Sequence, residues 1–146
     1  MHDKETQKRS LALTYSAFVA GLCSIVYELL IATTVSYFLG DSVRYFSLTI
    51  GMYMAAMGAG SYCSKFVGEN LIARFLQFEI ALAALGGLSI PLLYLSYVVD
   101  GLFIPSYVLL TCSIGFLIGL EIPFLTRLME SFKTLKSNIA NILTFD

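Results

Sequence analysis

The sequence predicts an all-α, polytopic membrane protein with four transmembrane helices in two helical hairpins. Three observations carry this. Hydrophobic residues make up 58% of the 146-residue chain and charged residues 13%, about half the charge that the surface of a soluble domain requires. The mean hydropathy is +0.80, and a formal charge of −1 excludes the highly charged, weakly hydrophobic composition of a disordered chain. The few charges also divide the chain into apolar stretches, each long enough for the roughly 20 residues of a helical span. Four such spans leave little chain outside the bilayer, so any chemistry must lie within the membrane or on another chain.

The spans follow from the charges that bound them. From Leu11 to Leu39 the only charge is Glu28, from Tyr45 to Ser64 there is none, from Phe75 to Val99 only Glu79, and from Gly101 to Thr126 only Glu121. Helices are therefore expected over 11–39, 43–66, 72–99 and 103–129. The first is long enough to tilt or to extend beyond the hydrocarbon. Gly40-Asp41-Ser42 suits a left-handed helix end followed by a new N-cap, and Asp100-Gly101 with Pro105 punctuates the third connection. Residues 1–10 are then an N-terminal tail, 11–129 the transmembrane domain, and 130–146 a C-terminal segment that reads as interrupted before further helices.

Orientation follows from Lys and Arg. Lys4, Lys8, Arg9, Lys65, Arg74, Arg127, Lys133 and Lys136 fall on one side and Arg44 alone on the other, which places both termini in the cytoplasm. Tyr37, Phe38, Tyr45 and Phe46 on the outer side, with Phe75, Phe78 and Phe132 on the inner, match interfacial aromatic belts. A cleaved signal peptide does not fit, because the first apolar run is far longer than the 7–15 residues of a signal core. With so little positive charge, no nucleic-acid partner is expected.

Helices in lipid associate through close approach of small residues. The first helix carries Ala17, Gly21, Ser24, Glu28, Ala32 and Val35 on one face, leaving Phe18, Leu22, Ile25 and Leu29 for lipid or larger pockets. Gly51, Ala55, Gly58 and Ala59 repeat the device in the second helix, Ala83 and Gly87 in the third, and Gly115 and Gly119 in the fourth. Four such faces predict a tight bundle, with room for self-association into an oligomer.

Three acids lie in or near the spans, where ionised groups are costly and mark ion, proton or substrate handling. Glu28 sits mid-span on the small-residue face and points toward neighbouring helices. Its structural alternatives are a hydrogen bond between helices or a pair with Arg44. Glu79 and Glu121 lie nearer the cytoplasmic ends, as a paired acidic site attractive to a cation or as snorkelling side chains that pair with Arg74 and Arg127. Pro123 removes a backbone donor and frees the carbonyl of Gly119, inviting a kink beside Glu121. Cys23, Cys63 and Cys112 are isolated, forming neither a disulfide framework nor a metal motif, and read as small packing residues. His2 is the only histidine, so a His-dependent triad or His-ligated metal within the bundle is excluded. Gly58-Ala59-Gly60 lies in an apolar helix with no preceding strand and is not a nucleotide loop.

Several segments resemble the N-terminal membrane region of prokaryotic membrane-bound spermidine synthases, the polyamine aminopropyltransferases. They are Val26-Tyr27-Glu28-Leu29-Leu30, Tyr37-Phe38-Leu39-Gly40-Asp41-Ser42, Gly119-Leu120-Glu121-Ile122-Pro123, and Asn138-Ile139-Ala140-Asn141 leading to Asp146. The likeness runs from about Leu11 to Asp146. The Gly-Asp-Ser turn and the Gly-Leu-Glu-Ile-Pro segment are its most specific parts. The resemblance implies a membrane domain ahead of a cytoplasmic transferase domain that moves an aminopropyl group from decarboxylated S-adenosylmethionine to putrescine. The glycine-rich loop and catalytic aspartates of that domain are absent from this sequence, so the chain by itself binds no cofactor and is expected to be inactive. Only Glu28, Asp41, Glu79 and Glu121 carry over as candidate substrate- or proton-binding positions.

The primary expectation is therefore the membrane domain of an aminopropyltransferase-like protein, anchoring it in the bilayer and handling cationic polyamines through the acids. Two rival readings stand beside it. A small proton-coupled transporter of cations would use Glu28, as four-helix multidrug exporters use an acid in their first helix, although the strong Lys and Arg bias opposes dual insertion. A structural subunit would instead pack its small-residue faces against a partner.

Overall fold

The computed structural model describes residues 2–66 and 71–144. Helix α1 spans His2–Leu39, α2 spans Ser42–Cys63 and closes on a 3-10 turn at Ser64–Phe66, α3 spans Leu71–Val98, and α4 spans Phe103–Thr144. No strand occurs among the described residues. Among the described residues three stretches are long and apolar enough to cross a membrane, Gly21–Leu39, Ile72–Val98 and Phe103–Arg127. Helix α2 falls below them because Gly, Ser and Tyr dilute its apolar content.

Both end helices outrun the apolar stretches. At 1.5 Å per residue the 42 residues of α4 extend about 63 Å, roughly twice the 30 Å hydrocarbon thickness. Residues 2–10 and 130–144 continue as helix because Lys, Arg, Glu and Gln there are good helix formers without being apolar. Hydropathy thus bounds the membrane-length part of a helix and says nothing of where the helix stops. The expected connection around residues 67–70 lies outside the described residues, as do the side chains of Lys4, Lys8, Arg9, Ala17, Phe132, Lys133 and Lys136.

The first connection forms as its sequence predicts. Gly40 adopts φ +77°, where an L side chain would be strained, and its N–H donates to the Ser36 carbonyl at 2.9 Å. Asp41 caps α2 by accepting from the Arg44 N–H at 3.1 Å, while Ser36 Oγ donates to Ser42 Oγ at 2.7 Å. In the third connection Gly101 takes φ +80° and the Leu102 N–H bonds the Val99 carbonyl at 3.1 Å. Pro105 falls in the first turn of α4, where no intrahelical N–H is needed.

Helix α4 is the hub of the bundle. It touches α1, α2 and α3, whereas α2 and α3 do not meet among the described residues. Its buried face, including Tyr107, Leu110, Ile114 and Ile118, packs with Ile31 and Val35 of α1, Tyr53 of α2, and Leu82 and Leu93 of α3. At one end of the bundle Phe38 stacks on Tyr97 with centroids 4.2 Å apart and meets Phe103 edge-on at 5.4 Å. This ring ties α1 to α3 and α4.

The closest approach is between α2 and α4. A β-carbon on Gly119 would collide with the backbone of Met57, one on Gly60 with the carbonyl of Phe116, and one on Gly115 would stand 2.8 Å from the Tyr53 carbonyl oxygen. The glycines expected to matter in α4 are therefore the ones used. In α2 the expected face is not: Gly51, Ala55, Gly58 and Ala59 are exposed, and Gly51 and Gly58 have open space where a β-carbon would go. In α3, Ala83 and Gly87 are likewise exposed and Gly86 makes the contact. In α1, Gly21 is exposed, while Ser24, Ala32 and Val35 are buried and Phe18, Leu22, Ile25 and Leu29 face outward.

Candidate functional site

Polar groups in the interior link the helices in pairs. Tyr53 of α2 is fully buried, and its hydroxyl donates to the Ser24 carbonyl at 3.1 Å while pairing with Ser24 Oγ at 3.2 Å. A phenol in an apolar interior needs such partners, and the small Ser24 leaves room for it to reach α1. Glu28, one turn further along α1, is half-buried and within electrostatic reach of Tyr53. A second hydroxyl pair, Thr49 Oγ1 with Tyr107 Oη at 2.8 Å, joins α2 to α4.

Glu79 of α3 and Glu121 of α4 lie within electrostatic reach of each other. Glu121 is only 5% exposed, and its Oε1 is buried with no hydrogen-bond partner. A buried acceptor left unmade is costly. Glu79 is half-buried and opens on one side to a groove of about 440 Å³ between α1 and α3, lined by Tyr15, Ser16, Val19, Cys23, Tyr27, Leu82 and Ala83 besides Glu79. Tyr27 lies flat on α3 because Gly86 has no side chain: a β-carbon there would stand 2.5 Å from Tyr27 Cζ.

The other sequence candidates are placed differently. Asp41 is exposed and occupied as the α2 cap. Arg44, proposed as a partner for Glu28, is exposed with its guanidinium 5.9 Å from the Tyr45 ring centroid. Arg74 is exposed at the start of α3. Arg127 donates Nη1 to the Ser64 carbonyl at 3.0 Å, tying α4 to the 3-10 turn. The three cysteines are free thiols, each half-buried. No group of three potential metal ligands occurs among the described residues. Tyr53 and Gly86 escape sequence reasoning, since their importance arises only from contacts between helices; Tyr27 stands in a quoted motif without a role.

No protein-family model matches the chain, and no solved structure matches it. Curated relatives do. The chain is 42% identical over 135 residues to a polyamine aminopropyltransferase of Leptospira interrogans, covering 92% of this chain and 27% of that protein. It is 37% identical over 138 residues to polyamine aminopropyltransferase 2 of Ralstonia nicotianae, with the same coverage, and 34% identical over 146 residues to polyamine aminopropyltransferase 2 of Aquifex aeolicus. The chain spans about a quarter of the length of the relatives it matches, and the matching part is their N-terminal portion. By sequence it is a relative of the polyamine aminopropyltransferases, the spermidine synthase family, over that region.

Proposed function

We propose that the chain is the membrane domain of a polyamine aminopropyltransferase-like protein, anchoring it in the prokaryotic inner membrane and handling cationic polyamines through its intramembrane acids. One observation carries this reading: 92% of the chain aligns at 42% identity with a protein named for acting on polyamines, yet fills only 27% of it. Three membrane-length helices support the anchoring role. In this reading α2 crosses as a fourth span, too polar to stand alone in lipid and carried by its tight glycine contacts with α4. The four spans form two hairpins with both termini in the cytoplasm. The transfer reaction, with decarboxylated S-adenosylmethionine as co-substrate, belongs to the part of the longer relatives that this chain does not cover. Glu28, Glu79 and Glu121 supply carboxyl groups within the bundle, and Asp41 supplies one at the opposite surface.

The test is biochemical fractionation. The chain expressed in a bacterial host is expected to stay in the membrane pellet through alkaline carbonate extraction. Membranes containing it are expected to make no spermidine from putrescine and decarboxylated S-adenosylmethionine. Release into the soluble fraction, or spermidine synthesis by the chain alone, would contradict the proposal.

A further inference from the structure

Helix α3 is held unevenly along its length. In its C-terminal half Ser89, Leu93 and Ser96 are buried at helical spacing, and Tyr94 and Tyr97 close on Phe38 with ring centroids 4.9 and 4.2 Å away. In its N-terminal half, over residues 72–85, Leu82 is the one buried side chain, helped by the edge contact of Phe78 with Phe124 at 5.5 Å. The joint between the halves is weak as a helix. Gly86 and Gly87 are poor helix formers, and Pro91 has no N–H for the Gly87 carbonyl and a ring that crowds it. The Ser89 hydroxyl donates to the neighbouring Gly86 carbonyl at 2.6 Å, a local bond of the kind that bends helices. Helix α2 does not meet α3 among the described residues. Helix α1 bears on the joint through the ring of Tyr27, which fits over Gly86 only because that residue has no β-carbon. The α1–α3 groove runs along Glu79, Leu82 and Ala83, all on the weakly held half.

We propose that α3 is a gate. Its N-terminal half swings away from α1 about Gly86, Gly87 and Pro91, and Tyr27 seated on Gly86 is the latch that holds it closed. The C-terminal half stays fixed by its buried residues and its aromatic contacts. Proline and glycine are where long helices bend, and a hinge of a few residues between rigid arms is the usual form of such a motion. Opening widens the α1–α3 groove and uncovers Cys23, a half-buried free thiol in its lining.

Cys23 reports the gate directly. With Cys63→Ser and Cys112→Ser in place, its rate of reaction with a maleimide in the purified chain in detergent measures the open fraction. Gly87→Ala adds its methyl to open space and stiffens the joint, so Cys23 is expected to react about fivefold more slowly, and more slowly still when Pro91→Ala is added. Gly86→Ala raises helix propensity equally but displaces the Tyr27 ring, so Cys23 is expected to react faster than in the parent chain. Tyr27→Leu, which empties the latch without touching α3, is expected to accelerate it likewise. The thiol of Ala59→Cys, on the exposed face of α2 in a chain with Cys23→Ser, is expected to react at one rate in every background. Circular dichroism is expected to show parent helicity throughout. A Cys23 rate that is not lowered by Gly87→Ala with Pro91→Ala, or not raised by Tyr27→Leu, would overturn the gate. So would a slowing that the Ala59→Cys thiol shares.

Discussion

Gly119 of α4 lies against the backbone of Met57 in α2 so closely that a single β-carbon has no place between them. Gly60 makes the reciprocal contact with Phe116. Gly119→Ala and Gly60→Ala should therefore force the two helices apart, destabilising the bundle by about 1–3 kcal/mol through overpacking. Gly58→Ala, which adds its methyl to open space, should be neutral or stabilise by up to about 1 kcal/mol from helix propensity. Unfolding midpoints in detergent separate the two outcomes, and equal effects at positions 58 and 60 would contradict the helix pairing.

The Tyr53–Ser24 contact joins α1 to α2 through a buried hydroxyl. Tyr53→Phe should cost about 0.5–1.5 kcal/mol. The double variant with Ser24→Ala should cost less than the sum of the single changes, since each removes the same interaction. Additive losses would show that the two hydroxyls do not act together.

Thr111 presents the opposite case. It is fully buried, and its Oγ1 finds no partner. Thr111→Val keeps the shape and removes the unsatisfied group, so stability should be unchanged or improved by about 1 kcal/mol. A clear loss in the unfolding midpoint would mean that the hydroxyl is paired in the membrane.

At the first connection, Asp41→Ala should cost about 0.5–2 kcal/mol by removing the cap of α2, while Asp41→Asn, which also caps, should be close to wild type. Gly40→Ala should cost about 1–2 kcal/mol because φ is +77° there. If Asp41→Asn destabilises as much as Asp41→Ala, the charge of Asp41 matters more than its capping oxygen.

The sequence makes some of this legible and hides the rest for physical reasons. Gly115 and Gly119 are readable because α4 is otherwise large and apolar on that face, so two glycines at a four-residue spacing single out one contact. Helix α2 has Gly51, Ala55, Ala56, Gly58, Ala59 and Gly60 scattered around its circumference, and periodicity alone selects no face. The structure uses Ala56 and Gly60, where the stripe at 51, 55, 58 and 59 is the more regular. The joining of Glu79 and Glu121 is foreshadowed by their similar depth, but the competing snorkelling arrangement has the same sequence signature. The packing of α3 on α4, which the sequence does not show, brings the two acids within electrostatic reach. The α1–α3 groove is invisible in sequence because it is a gap, set by where Tyr27 rests on Gly86.

The most direct test of the account is the number and direction of membrane crossings, since the proposed anchoring role assumes a four-span bundle. Alkaline phosphatase, active only outside the cytoplasm, can be fused in turn after Asp41, Lys65, Asp100 and Asp146. Activity is predicted after Asp41 and Asp100 and none after Lys65 and Asp146. High activity after Lys65 together with none after Asp100 would contradict the crossing of α2 and the hairpin arrangement on which the account rests.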